Sequence, residues 1–244
     1  PNPVVIRTAD IGGDRLSDLG FPAHSREANP FMGLRGVRLF LKYQDLFRAQ
    51  LRAILRASEY GNVSLLLPMV SSISELLSVK KILSECALEL KREGHALTRM
   101  PEIGILVEVP STVIMLDTFL AEVDFLSVGT NDLIQYVMAV DRINENVAHL
   151  YDPFNPAILR FLSHISETAK AHGKWVSVCG EVASDPRGTQ MLLGLGLNTL
   201  SVSPRMFLRI KQQIRSLSTE GAVRLTRQAM KLQESHSIQQ LLCP

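Results

Sequence analysis

The stretch "FLSVGTNDLIQY", residues 125–136, decides the fold class. It begins as an apolar run typical of a buried strand and changes abruptly, at residues 129–132, to small, polar and charged side chains. The same change occurs in "GILVEVPS" (104–111) and "WVSVCGEVAS" (175–184). A buried strand that stops at polar groups is typical of an α/β protein whose strand ends carry a binding site.

Apolar, β-rich runs alternate along the chain with segments of helical periodicity. The runs predict strands at 4–6, 63–70, 103–109, 123–128, 175–178 and 199–202, and the segments predict helices at 44–58, 73–93, 111–121, 157–172 and 189–195. This alternation predicts parallel strands joined by crossover helices. Four of the strand runs end in residues that could bind a ligand or take part in catalysis. This favours a (β/α)8 TIM-type barrel over an open doubly wound sheet, because in such a sheet so many strands rarely contribute to one site.

An eight-stranded barrel needs more strands than the six clear runs supply. "LRGVRLF" (34–40) is a candidate seventh strand, and the sequence opens at Pro1 almost directly on a strand. We therefore expect residues 1–217 to form a barrel that is truncated at its N-terminus and lacks its first βα unit. Residues 218–244 are expected to form a C-terminal helix, over 220–232, and a tail that frays at "SIQQLLCP".

Composition and charge exclude several classes of protein. The net charge of +2 and the 6% content of aromatic residues do not resemble a nucleic-acid-binding footprint. The three cysteines, Cys86, Cys179 and Cys243, have neither paired spacing nor a CxxC motif, which argues against a disulfide framework and a zinc site. No apolar run approaches the roughly 20 residues of a membrane span. These features predict a cytoplasmic protein that binds neither nucleic acid nor membrane.

Two carboxylates follow predicted strands. Glu108 closes "IGILVE" and Asp132 follows "FLSVGTN", so in a barrel both would point into the same mouth. A metal site with few protein oxygen ligands and with room for water and phosphate is more typical of Mg2+ than of zinc or calcium. The alternative is that each carboxylate caps the helix that follows it, and Asp132 before "LIQYVMAV" is a good N-cap candidate.

Three arginines stand near these positions. Arg7 ends an apolar strand, Arg35 follows a proline and glycine turn, and Arg142 comes ten residues after Asp132. The guanidinium fork suits phosphate and carboxylate, so the three together indicate an anionic substrate that bears both groups. For any one arginine, a salt bridge to a neighbour such as Asp141 remains the alternative.

Cys179 lies at the end of a predicted strand in "VCGE". A thiol with a reference pKa of about 8.5 stays mostly protonated at neutral pH and could donate a proton. The alternative is a small, inert buried side chain. Glu181 could orient the thiol or cap the next helix. The GxSxG, Walker A and GxGxxG motifs are absent from the sequence.

Six segments together resemble one known family. They are "VIRTADIGGD", "NPFMGLRGVRL", "QLRAILRAS", "GILVEVPS", "VDFLSVGTNDLIQYVMAVDR" and "VCGEVASDPRG". In this order, over residues 4–215, the chain is similar to the phosphoenolpyruvate-binding barrel of enzyme I of the bacterial phosphotransferase system. Pyruvate phosphate dikinase and phosphoenolpyruvate synthase share this barrel and resemble the chain less closely, and "VEVPS" and "NPFMGLRGVR" lean toward the nitrogen-related paralogue.

The resemblance implies roles for individual residues of this sequence. Ligand binding is implied for Arg7, Arg35, Asn131, Asp132 and Arg142. It also implies that Glu108 and Asp132 hold Mg2+ and that Cys179 protonates the methylene carbon of the enolate as pyruvate forms.

The resemblance implies a phosphotransferase that passes the phosphoryl group of phosphoenolpyruvate to a histidine on another domain of a longer protein. A histidine phosphocarrier protein would dock on a region outside this sequence, and the barrel would form a homodimer. The alternatives are a module that senses phosphoenolpyruvate and a carbon–carbon lyase of similar barrel type that uses magnesium enolate chemistry.

Overall fold

The computed structural model describes residues 3–12 and 27–242. The strands in this part are β1 (Val4–Arg7), β2 (Val63–Leu67), β3 (Glu102–Val107), β4 (Phe125–Gly129), β5 (Trp175–Cys179) and β6 (Thr199–Ser201). The helices are α1 (Val37–Lys42), α2 (Gln44–Ser58), α3 (Ile73–Arg92), α4 (Pro110–Ile114), α5 (Leu116–Leu120), α6 (Thr130–Met138), α7 (Pro156–Ala171), α8 (Pro186–Gly194), α9 (Phe207–Ser216), α10 (Thr219–Ala229) and α11 (Ser235–Leu242). Short 3-10 helices span Pro30–Met32, Ala148–Leu150 and Glu181–Ser184.

The chain divides into two compact units. Unit 1 comprises Pro1–Leu106 and Glu122–Phe125, and unit 2 comprises Val107–Ala121 and Leu126–Pro244. This division cuts the chain close to the start of β4 and the end of β3. The domain boundary expected after residue 217 stays a prediction.

In unit 1 the strands lie in the order β1, β2, β3 and run parallel. Leu65, Leu66 and Leu67 of β2 are all buried, as expected for a parallel strand covered on both faces. By contrast, Val4 of β1 is 54% exposed, because β1 is the outer strand of this set. The long helix α3 begins with a capping box formed by Ser72 and Glu75.

The prediction of a seventh strand at residues 34–40 is wrong. Gly36 has a φ of +55°, and α1 begins directly after it. Leu39 and Phe40 are adjacent in sequence and both buried, a pattern that fits a helix face and not the alternation of a half-buried strand. The extended backbone here is limited to an isolated bridge between Gly12 and Arg35. A short apolar run does not by itself distinguish a strand from a helix.

In unit 2 the strands again follow chain order, β4, β5, β6, and β5 pairs with β6 in parallel. All five residues of β4 are buried. Polar caps fix the starts of two helices: Asn155 caps α7 and Asp185 caps α8, and each helix has proline at its first position. The single helix predicted at 111–121 is divided into α4 and α5 at Met115.

The C-terminal segment is more ordered than the sequence indicates. The predicted helix at 220–232 corresponds to α10. The expectation that "SIQQLLCP" frays is wrong for Ser235–Leu242, which forms α11 with Ile238 and Leu242 fully buried. The helix contacts α8 and α10, so its apolar face is buried against other helices. Residues 243–244, including Cys243, lie outside the described residues.

These observations confirm the predicted fold class. Parallel strands that follow one another in chain order, with helices after them, form the repeating pattern of a (β/α) barrel of TIM type. The described residues contain six of the eight strands of such a barrel. Within the same residues, no helix combines the length and apolarity needed to cross a membrane.

We expect Ile238→Ala to destabilise unit 2. The side chain is fully buried, so its truncation leaves a cavity and should lower the free energy of unfolding by about 2–5 kcal/mol. Urea denaturation measures the change. Gln240→Ala on the exposed face of α11 is the matched control and should change stability by less than about 0.5 kcal/mol. Equal effects of the two variants would show that α11 does not pack in solution.

Candidate active site

The junction between β4 and α6 positions three polar residues of unit 2. The buried strand ends at Gly129, which occupies the N-cap position, and α6 begins at Thr130. Asp132 is therefore the third residue of the helix and is only 8% exposed. The interpretation of Asp132 as an N-cap is wrong, because glycine holds that position and no side-chain cap bond is present.

Arg142 returns to the start of α6 after the helix has ended. Ala139 adopts a φ of +52° after Met138 and reverses the chain. The Arg142 guanidinium Nη1 then donates to Oδ1 of Asp132 at 3.2 Å. The carboxylate of Asp141, the partner considered from sequence, instead accepts from the backbone N–H of Ile143. Arg142 and Asp132 therefore form one charged pair.

Cys179 is the last residue of β5 and lies against the end of β4. Its Sγ donates to the carbonyl oxygen of Val128 at 3.4 Å, and the Ser127 hydroxyl contacts the same sulfur at 3.9 Å. The side chain is neither fully buried nor fully exposed. As a thiol, Cys179 has an acceptor for its proton in the Val128 carbonyl oxygen. Its partial exposure differs from that of Cys86, which is buried, and the catalytic role of Cys179 stays a prediction.

Asn131 links the start of α6 to the residue that follows Gly180. Its side-chain Oδ1 accepts from the backbone N–H of Glu181 at 3.0 Å. The Nδ2 amide is the donor end of this side chain. Glu181 itself begins a 3-10 helix, while Asp185 caps α8, so Glu181 does not cap the next helix.

Sequence reasoning missed Tyr151. Its hydroxyl donates weakly to the carbonyl oxygen of Asn131 at 3.5 Å. Burial raises the pKa of the phenol to about 12; Arg142 opposes the shift, and the charges of Glu181 and Asp132 add to it. No motif indicated this residue, because it stands after a short 3-10 helix and its hydrogen-bond partner, Asn131, lies 20 positions away in sequence.

Glu108 follows β3 and is only 1% exposed. The helix α4 begins two residues later and contacts α6, which contains Asp132. Within residues 3–12 and 27–242, no group of three or more His, Cys, Asp or Glu side chains is arranged to hold a metal. The oxygen-only donor set of Glu108 and Asp132 fits Mg2+, which keeps water and substrate oxygens among its ligands. The shared metal site stays a prediction.

Unit 1 carries the other two arginines. Arg7 is the exposed last residue of β1. Arg35 makes a two-pronged contact with Asp10, with Nε at 3.0 Å from Oδ1 and Nη2 at 2.6 Å from Oδ2. Both side chains of this pair are largely buried, at 11% and 6% exposure. The salt-bridge alternative therefore describes Arg35 as observed, and its role in ligand binding stays a prediction.

We expect Tyr151 to titrate about two pH units later than an ordinary tyrosine, near 12 instead of 10.0. Because the folded-state pKa is raised, the associated stability is complete below pH 10.0 and is lost as the pH rises toward 12. Ultraviolet titration of tyrosinate should show this late step, and Tyr151→Phe should remove it. Tyr60→Phe, which alters an exposed tyrosine, should leave the late step intact.

Comparison with known proteins identifies the family of the chain. A family model described as "PEP-utilising enzyme, PEP-binding domain" matches residues 1–219. Curated relatives named phosphoenolpyruvate-protein phosphotransferase include one from Geobacillus stearothermophilus, 48% identical over 230 residues, and one from Priestia megaterium, 49% identical over 217 residues. These alignments cover 94% and 88% of this chain but 39% and 37% of the relatives. The chain thus spans well under half of the length of these relatives.

Solved structures support the fold alone. A citrate lyase from Burkholderia xenovorans LB400 superposes with a TM-score of 0.51 and 16% identity, over 80% of this chain and 65% of the other. A malate synthase from Haloferax volcanii gives a TM-score of 0.50 and 13% identity, over 68% and 50% of the two chains. The family model covers most of the sequence, and the alignment with the Geobacillus stearothermophilus relative covers 94% of this chain. The chain therefore belongs to the PEP-binding domain family of the PEP-utilising enzymes.

Proposed function

We propose that the chain is the phosphoenolpyruvate-binding catalytic domain of a phosphoenolpyruvate-protein phosphotransferase. In this function the phosphoryl group passes from phosphoenolpyruvate to a histidine on another domain, and pyruvate is released. The family membership and the names of the relatives support the proposal. The observation that carries it is the gathering of Asn131, Asp132, Arg142 and Cys179 at the ends of β4 and β5.

The charged groups suit an anionic substrate. Arg142 offers a guanidinium fork that matches phosphate or carboxylate geometry, and Asn131 offers the Nδ2 donor. Both are held by protein partners before any ligand arrives, so the groups are oriented in advance. The residues act by positioning and by stabilising negative charge, which is the main contribution of proteins to phosphoryl transfer. Arg7 and Arg35 are proposed as further ligand-binding residues.

Cys179 is proposed to be the catalytic proton donor. When the bond between phosphorus and the enol oxygen breaks, the electron pair stays with the oxygen and forms the enolate of pyruvate. The methylene carbon of the enolate takes the proton from Sγ, which leaves pyruvate and a thiolate that solvent reprotonates. The bond from Sγ to the Val128 carbonyl keeps the thiol in its protonated form until that step.

We propose that Glu108 and Asp132 hold Mg2+. When bound, the cation would neutralise charge on the phosphate and on the developing enolate. Asp132 would bind the cation while its Oδ1 also contacts Arg142.

The partners of the longer protein are part of the proposal. They are the phosphohistidine domain, a histidine phosphocarrier protein and a second copy of the chain, in a cytoplasmic setting. The alternative of a phosphoenolpyruvate-sensing module uses the same site and differs in the domain that precedes it. The same site would also serve the sugar-transport and the nitrogen-related paralogues.

We expect phosphoenolpyruvate to bind in the presence of Mg2+ and Arg142→Ala to weaken this binding by about 10-fold or more. Removal of a charged hydrogen-bond donor to phosphate costs about 1.5–3 kcal/mol. Isothermal calorimetry measures the affinity, and Arg7→Ala tests the arginine of unit 1 in the same way. Arg160→Ala, on the exposed face of α7, is the matched control and should bind like the wild type. If Arg142→Ala binds as tightly as this control, the ligand assignment is wrong.

We also expect the chain to exchange solvent deuterium slowly into the methyl group of pyruvate with Mg2+ present. Cys179→Ala should abolish this exchange because no other thiol takes its place at the end of β5. Proton magnetic resonance of pyruvate follows the reaction. Cys86→Ala is the control, since Cys86 is buried in α3 of unit 1. Exchange that persists in Cys179→Ala would assign the proton transfer to another group.

A further inference from the structure

We propose that Thr130 is the positioning residue for the Cys179 thiol and that Gly180 is the residue that permits the contact. This inference rests on the proposed function, because it concerns how the proton donor of that reaction is held. Neither residue bears a group that would react with phosphoenolpyruvate. Both act through the backbone of the loop that follows β5.

The first element of the argument is the hydroxyl of Thr130. The residue is completely buried, at 0% exposure. Its Oγ1 donates to the backbone carbonyl oxygen of Cys179 at 2.8 Å. This is the usual length of a bond between a hydroxyl and a carbonyl oxygen, and its donor is a fully buried side chain. It fixes the carbonyl of the residue whose side chain is the proposed donor.

The second element is the bond on the other side of Gly180. The backbone N–H of Glu181 donates to the Asn131 side chain at 3.0 Å. Consecutive residues of α6, Thr130 and Asn131, therefore hold consecutive peptide groups that flank Gly180. Two fixed peptide planes leave the intervening residue little freedom to rotate.

The third element is the conformation of Gly180. Its φ of +110° is a value that residues with a side chain rarely adopt. A Cβ at this position would overlap Oγ1 of Thr130 and lie 2.7 Å from Oδ1 of Asn131. Glycine is thus required both by the backbone angle and by the close approach of these two side chains.

The fourth element is the direction of the thiol. With its carbonyl fixed by Thr130, Cys179 directs Sγ toward Val128 and Ser127, which precede Thr130 in β4. The strand and the helix start thus locate both the backbone and the sulfur of the same residue. Proton transfer to carbon is sensitive to such placement, since an error of about 1 Å can cost on the order of 100-fold in rate.

The test is Thr130→Val, which keeps the shape of the side chain and removes its hydroxyl. We expect pyruvate deuterium exchange to fall by about 10-fold, while the calorimetric affinity for phosphoenolpyruvate changes by less than about 2-fold. The alkylation rate of Cys179, followed on its peptide by mass spectrometry across pH, should change with the exchange rate. Thr130→Ser restores the hydroxyl and should recover most of the exchange.

Thr226→Val is the matched control. Thr226 is also buried, and its hydroxyl donates to the backbone carbonyl of Met191 within unit 2, away from Cys179. It should lose comparable stability in urea and keep wild-type exchange. The inference would be overturned if Thr130→Val exchanged deuterium as fast as this control. It would also be overturned if Thr130→Val lost phosphoenolpyruvate affinity and deuterium exchange in equal proportion.

A second variant keeps the proposal testable if Thr130→Val does not fold. Gly180→Ala places a methyl group against the Thr130 hydroxyl, so it disturbs the same contact and should also reduce deuterium exchange. If both variants fold, their combination should cost less than the sum of the two, because each breaks the same contact. Additive effects would contradict a shared contact. A wild-type chain that neither binds nor exchanges would instead contradict the proposed function itself.

Discussion

The contact on which the candidate site depends is the hydrogen bond from the Thr130 hydroxyl to the Cys179 carbonyl. It joins residues that are 49 positions apart in the chain and therefore exists only after β4 and β5 have come together. Gly180 makes it possible because no other residue fits between the two partners with this backbone angle. The peptide groups on both sides of Gly180 are bonded by Thr130 and Asn131 at this junction.

Charge in the site is balanced before any ligand binds. Asp132 is buried and contacts Arg142, so neither group is an isolated charge in a poorly solvated place. Arg35 and Asp10 form a similar closed pair in unit 1.

Much of the fold was readable from the sequence because the strands and helices have different apolar periods. The run at 44–58 coincides with α2, and all six predicted strands are present, with bounds shifted by a few residues. The prediction failed where the local pattern was ambiguous. The helix α1 is too short for its apolar period to distinguish it from a strand, and the order of α11 depends on its packing against α8 and α10. Most candidate site residues were predicted from their place at or near strand ends, but no such feature of the sequence indicates Tyr151.

The sequence by itself determined the fold class, the family resemblance and the side chains capable of the chemistry, because these depend on residue type and local order. Only the tertiary structure decided which groups touch: that Arg142 pairs with Asp132 and not with Asp141, and that the Thr130 hydroxyl bonds the Cys179 carbonyl. Contacts between distant segments depend on how elements pack and on where one glycine lets two chains approach. No local pattern carries that information.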